Sequence, residues 1–98
     1  MRNKTLKLKI PGEVVKLIRG MHPHIKKKVR SALDDILNNP SSGKALRREL
    51  KGLSSFRVGR FRIIYCAASQ GYIEIIAIGP RKVIYEETLR LIKKAGKK

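Results

Sequence analysis

A single cysteine, Cys66, leaves no disulfide to be made within this chain, so its core has to hold the fold. Cys66 falls in an apolar, strand-like stretch and reads as a small buried hydrophobe in a reducing cytoplasm. Acidic residues are scarce: 7 Asp and Glu stand against 24 Lys and Arg, a formal net charge of +17. That imbalance favours polyanionic partners, whether nucleic acid, an anionic membrane surface or an acidic protein. No apolar run approaches the length of a membrane span, and the N-terminus lacks the apolar core of a signal peptide. A cytoplasmic protein with no membrane partner is therefore expected. His22 and His24 flank Pro23 without a Cys or carboxylate at ligand spacing, and read as cap and surface residues, not as a metal site. There is no Walker loop, no Gly-rich dinucleotide turn and no Ser-His-Asp order. No cofactor is expected, and any catalysis would be metal-free side-chain work on a phosphodiester.

What is present is an ordinary apolar share, 42% over 98 residues, which fits one globular domain spanning 1–98. Leu6, Leu8 and Ile10 alternate with Lys7 and Lys9, the period-two pattern of a half-buried strand. Pro11-Gly12 ends it, and Val14, Val15, Leu17 and Ile18 predict a short helix. Pro23 is placed for a first helical turn. Ile25, Val29, Ala32, Leu33, Ile36 and Leu37 then form one apolar stripe at helical spacing, stopped by Asn38-Asn39-Pro40. A helical hairpin follows from the short connector. Ser41 to Gly52 is polar and basic, and reads as a loop or frayed turn. Three strands are predicted at about 55–58, 61–68 and 72–79, the last two joined by Ser69-Gln70-Gly71 with a positive φ at the glycine. Tyr85, Leu89 and Ile92 are spaced for a C-terminal helix ending before Gly96.

The segment Phe56-Arg57-Val58-Gly59-Arg60-Phe61-Arg62-Ile63-Ile64-Tyr65 is the most informative. A two-residue loop at Gly59-Arg60 pairs Val58 with Phe61, Arg57 with Arg62 and Phe56 with Ile63. Phe56, Val58, Phe61, Ile63, Tyr65 and Ala67 then share a core face, matched on the next strand by Ile73, Ile75, Ala77 and Gly79. Ser55, Arg57, Arg62, Ile64, Glu74, Ile76 and Ile78 take the opposite face. Like charges directly opposed in a sheet cost about 0.2–1 kcal/mol, so the Arg57–Arg62 pair calls for an anion from outside the chain. Antiparallel order brings the end of the last strand beside Phe61 and Arg62, with Arg81 and Tyr85 just beyond.

Arginine forks hold phosphate oxygens bidentately, stay charged and can neutralise charge developing on a phosphate. They are poor proton-transfer groups, so cleavage of RNA through its 2′-hydroxyl needs another residue, and Tyr85 is the best candidate. Lys44, Arg47, Arg48, Lys51 and Arg60 are the expected phosphate contacts on RNA.

At Leu46…Leu50-Lys51-Gly52-Leu53, at the segment Phe56 to Tyr65, and at Ile78-Gly79-Pro80-Arg81…Val83-Ile84-Tyr85, the chain resembles the RelE/ParE superfamily of toxins from toxin–antitoxin modules. The resemblance spans most of the chain. It implies an α+β fold: a four-stranded, mainly antiparallel sheet with an N-terminal helical hairpin on one face and a C-terminal helix. The RelE branch cleaves messenger RNA in the ribosomal A site. By that resemblance Arg57 falls on a basic catalytic position, Arg62 and Arg81 on two phosphate-stabilising arginines, and Tyr85 on the tyrosine that orients or activates the nucleotide. One position departs: Ser55 stands where the best-known RelE pattern has lysine, with Lys51 or Arg60 as possible substitutes. The ParE branch shares the fold and the Arg-Val-Gly…Tyr signature but blocks DNA gyrase. Retention of Arg57, Arg62, Arg81 and Tyr85 together favours a ribosome-dependent endoribonuclease (an mRNA interferase). The alternatives are a gyrase inhibitor and a non-catalytic RNA- or ribosome-binding module. The implied partners are mRNA on the ribosome, ribosomal RNA and a small acidic antitoxin encoded nearby.

Overall fold

The computed structural model describes residues 7–67 and 71–96. Leu6, Ala68, Ser69 and Gln70, which the sequence assigns to strands or a hairpin loop, lie outside that range. β1 (Lys7–Lys9) keeps both lysines in solvent, while Leu8 packs against the core. α1 (Gly12–Arg19) buries Val14. α2 (Pro23–Asn38) starts with Pro23 in its first turn, where the missing N–H costs nothing. The ring of His22 caps it by accepting the His24 N–H at 3.2 Å. The stripe Val29, Ala32, Leu33 and Ile36 is buried, as its spacing predicts.

Among the described residues five strands, not four, form one mixed sheet in the order β1-β5-β4-β3-β2. The additional strand is β2 (Lys44–Ala45), paired antiparallel with β3 (Ser54–Val58) inside the stretch expected to be loop. Two residues are too few to show an alternating pattern. The remainder of that stretch carries single 3-10 turns at Pro40–Ser42 and Arg48–Leu50. β3, β4 (Phe61–Ala67) and β5 (Tyr72–Pro80) are antiparallel neighbours, and β1 runs parallel to β5. Tyr65 ties the segment after α2 to the sheet: its hydroxyl donates to the Pro40 carbonyl at 2.7 Å and accepts from the Gly43 N–H at 3.0 Å.

The β3–β4 register is the one dictated by a two-residue turn: Val58 opposes Phe61, Arg57 opposes Arg62 and Phe56 opposes Ile63. Gly59 takes φ +59°, which glycine adopts readily, and Gly71 closes the next connection at φ +82°. The β4–β5 register holds a correction. Ile63 pairs with Ile78 and Ile64 with Ala77, but Tyr65 pairs with Ile75, so Ile76 is an extra residue on β5. This β-bulge reverses the alternation beyond it. Ile78, expected on the arginine face, lies in the main core with Ile63, Tyr65, Ile73 and Ile75 under the two helices. Ala77 and Gly79, expected in that core, lie on the other face.

That other face is covered in part by α3 (Ile84–Gly96), which runs through Gly96 and does not stop before it. A smaller cluster of Ile64, Ala77 and Ile84 forms there, flanked by Leu46, Leu53, Ile76 and Tyr85. The anchors of α3 are Ile84 and Thr88, both fully buried, whereas Leu89 and Ile92 are half-exposed. A Cβ at Gly79 would stand 2.9 Å from Ile84 Cδ1, so this glycine is the seat on which α3 begins. Cys66, expected to be buried, is partly exposed at the end of β4. No helix among the described residues is long and apolar enough to cross a membrane.

Candidate functional site

Next to the Ile64–Ala77–Ile84 cluster, the α3 face turns polar. Ser55 is 2% exposed, and its Oγ is the point where two predicted site residues meet. Arg62 Nη1 donates to it at 3.0 Å and the Tyr85 hydroxyl donates to it at 3.3 Å. The Arg62 guanidinium carbon also stands 5.9 Å from the centroid of the Tyr85 ring, within cation–π range. These contacts follow from the register. Ser55 opposes Ile64, so Arg62 is its diagonal neighbour on the same face, a distance that a long side chain spans. Tyr85 enters from the first turn of α3, which Ile84 fixes over Gly79.

A serine oxygen accepts two hydrogen bonds, and both places are filled by these donors. With its proton aimed at Ser55, the Tyr85 oxygen keeps its lone pairs available to accept a hydrogen bond. Arg62 spends one N–H on Ser55 and retains four, enough for a bidentate grip on a phosphate.

The other predicted residues are spread over the sheet and its loops, and of them Arg57, which is exposed, is the cross-strand partner of Arg62. Arg81 follows β5: its N–H donates to the Arg60 carbonyl at 2.9 Å, and its side chain borders a cavity of about 610 Å³ with Arg60, Pro80 and Lys82. Lys44 and Arg47 border a different groove, of about 750 Å³, whose wall includes Leu46, Leu50 and Tyr85. Arg48 and Lys51 are exposed on the 3-10 turn beside it, Arg48 at φ +59°. The predicted RNA contacts therefore divide between two ends of the molecule, with Arg60 alone at the hairpin end. Sequence reasoning treated Ser55 as a missing lysine and overlooked it as the residue linking Arg62 to Tyr85. Its position two residues before Arg57, on the arginine face, was the available signal. Among the described residues no group of three or more His, Cys, Asp or Glu is placed to hold a metal ion.

A mixed sheet with a helical pair on one face and a terminal helix on the other is the architecture of RelE/ParE superfamily toxins. More narrowly, the family described as ParE toxin of type II toxin–antitoxin system, parDE, matches residues 14–85, and the chain belongs to that family. Among solved structures, the toxin–antitoxin complex RelBE2 from Mycobacterium tuberculosis is similar at 26% identity and a TM-score of 0.69, over 80% of this chain and 100% of that one. A RelE variant from E. coli in the free state gives a TM-score of 0.73 at 14% identity, over 94% of this chain and 98% of that one. The archaeal RelE–RelB complex from Pyrococcus horikoshii gives 0.65 at 24% identity, over 80% and 97%. The last two likenesses speak for the fold alone. No match is found among curated protein sequences.

Proposed function

We propose that this toxin is an endoribonuclease that cleaves messenger RNA in the ribosomal A site, with Arg57, Arg62, Arg81 and Tyr85 as its catalytic residues. The observation that carries this reading is the contact of Arg62 and Tyr85 through Ser55, opposite Arg57. It puts a phosphate-binding fork and a proton-carrying phenol within one nucleotide's reach. In the reaction, Tyr85 orients the 2′-hydroxyl by accepting its hydrogen bond, and the 2′-oxygen attacks the adjacent phosphorus as its proton passes to water. The P–O5′ bond breaks, the departing 5′-oxygen takes up a proton from water, and a 2′,3′-cyclic phosphate remains. Arg62 and Arg81 stabilise the charge that builds on the phosphate oxygens, with Arg57 as a further basic catalytic group. Lys44, Arg47, Arg48, Lys51 and Arg60 supply phosphate contacts that position the protein on mRNA and ribosomal RNA. A small acidic antitoxin is the natural inhibitor of so basic a surface. The M. tuberculosis and P. horikoshii relatives, solved as toxin–antitoxin complexes, support that partner.

The match to the ParE toxin family favours a second reading, inhibition of DNA gyrase without RNA cleavage. One experiment separates them. The purified protein is added to ribosomes programmed with mRNA, the RNA ends are mapped, and gyrase supercoiling is followed in parallel. New 5′ ends within the A-site codon, with supercoiling intact, are expected. Whole mRNA with blocked supercoiling would replace this reading by the second.

A further inference from the structure

The Gly59-Arg60 turn separates two cavities that share Arg60. On one side Arg60 meets Pro80, Arg81 and Lys82 around about 610 Å³. On the other, a space of about 430 Å³ lies between the turn and the start of α2, and Lys28 and Phe61 are among its lining residues. Both volumes fall in the range of about 300–1,000 Å³ typical of small-ligand sites. Among the described residues, no carboxylate lines either one. Lys28, Arg60, Arg81 and Lys82 are all exposed, and such crowding of cations is unfavourable until an anion enters. The α2 N-terminus adds partial positive charge, since Ile25 in its first turn lines the second cavity. The track begins beside the candidate site: Phe61 pairs with Pro80 and Arg62 with Gly79.

We infer that this turn carries a second RNA subsite, in which Lys28, Arg60 and Lys82 bind successive phosphates of single-stranded RNA that passes from the catalytic centre, past Arg81, around the hairpin tip. This rests on the reading of the protein as an RNA-binding toxin, and adds Lys28 and Lys82 to the residues that contact the strand. Single-stranded RNA is the occupant that fits, because the cations alternate with apolar surface at half-buried Phe61 and exposed Pro80. A positively charged groove with an aromatic platform is how proteins hold unpaired strands. Helix α2 thus both covers the core and lends its first turns to the substrate.

The test is binding of a fluorescein-labelled single-stranded RNA of about a dozen nucleotides to the full chain, followed by anisotropy over a range of salt. The Lys28→Ala/Lys82→Ala double variant is compared with Lys27→Ala/Arg30→Ala. Lys27 and Arg30 are exposed on the same helix and line neither cavity, and the charge removed is equal. The track predicts that the log–log salt slope flattens by about 1.4 in the first double variant, at about 0.7 for each phosphate no longer neutralised, and by less than half of that in the second. Equal flattening in both, or none in the first, overturns it. Because the RNA is free in solution, the outcome is separate from the ribosome assay: intact A-site cleavage with an unchanged slope removes the track alone.

Discussion

The two faces of the sheet divide the work. Under α1 and α2, Ile63, Tyr65, Ile73, Ile75 and Ile78 meet Val29 and Ile36 in a continuous apolar layer. Under α3, three buried residues are followed at once by Ser55, Arg62 and Tyr85. The first face has apolar area to hold the fold. The second keeps a small core only as long as needed to orient the polar cluster beside it. Burial there is a means of aiming side chains. Even Thr88, fully buried on α3, leaves its hydroxyl without a hydrogen-bond partner among the described residues.

This contrast can be broken by substitution. Ile63→Ala, in the large core, should cost about 2–5 kcal/mol in chemical denaturation, and Ile64→Ala should lie at the low end of that range. Equal costs would mean that the two faces are equally structural. Arg62→Ala should lower the rate of RNA cleavage on programmed ribosomes about 10²–10³-fold while the fold is retained by circular dichroism. A rate close to that of the unaltered protein would take Arg62 out of the reaction. Ser55→Ala leaves Arg62 and Tyr85 without their common acceptor. It should cost about 1 kcal/mol of stability together with a smaller rate loss than Arg62→Ala, and Ser55→Thr should restore both. Thr88→Val, which removes the unpaired hydroxyl at constant shape, should stabilise the protein by about 1 kcal/mol in a thermal melt. A loss of stability would show that Thr88 does find a partner in solution.

The β3–β4 hairpin was legible because Gly59-Arg60 is a local signal, and a two-residue loop leaves one register. The main helix was legible from its stripe. The bulge was not: Ile75-Ile76-Ala77-Ile78 is apolar throughout, with no polar residue to reveal where the alternation slips. β2 was hidden by its length, and by a polar sequence that reads as loop. For the site, turn geometry brought Arg57 and Arg62 together and strand order delivered Tyr85 beside them. The role of Ser55 depends on side-chain reach between a strand and a helix 30 residues apart, which spacing alone does not report.

The additional residue at Ile76 acts as a phase shifter. Before it and after it, β5 counts its two faces out of step, and the offset turns Ile78 inward and presents Gly79 to Ile84. Were Ile76 paired in a regular ladder instead, the alternation would run on unbroken, Ile78 would point at α3, and Gly79 would sit in the core. The first turn of α3 would lose its seat, and Tyr85 its aim at Ser55. One inserted residue, which carries no charge itself, thereby sets which side of β5 meets α3.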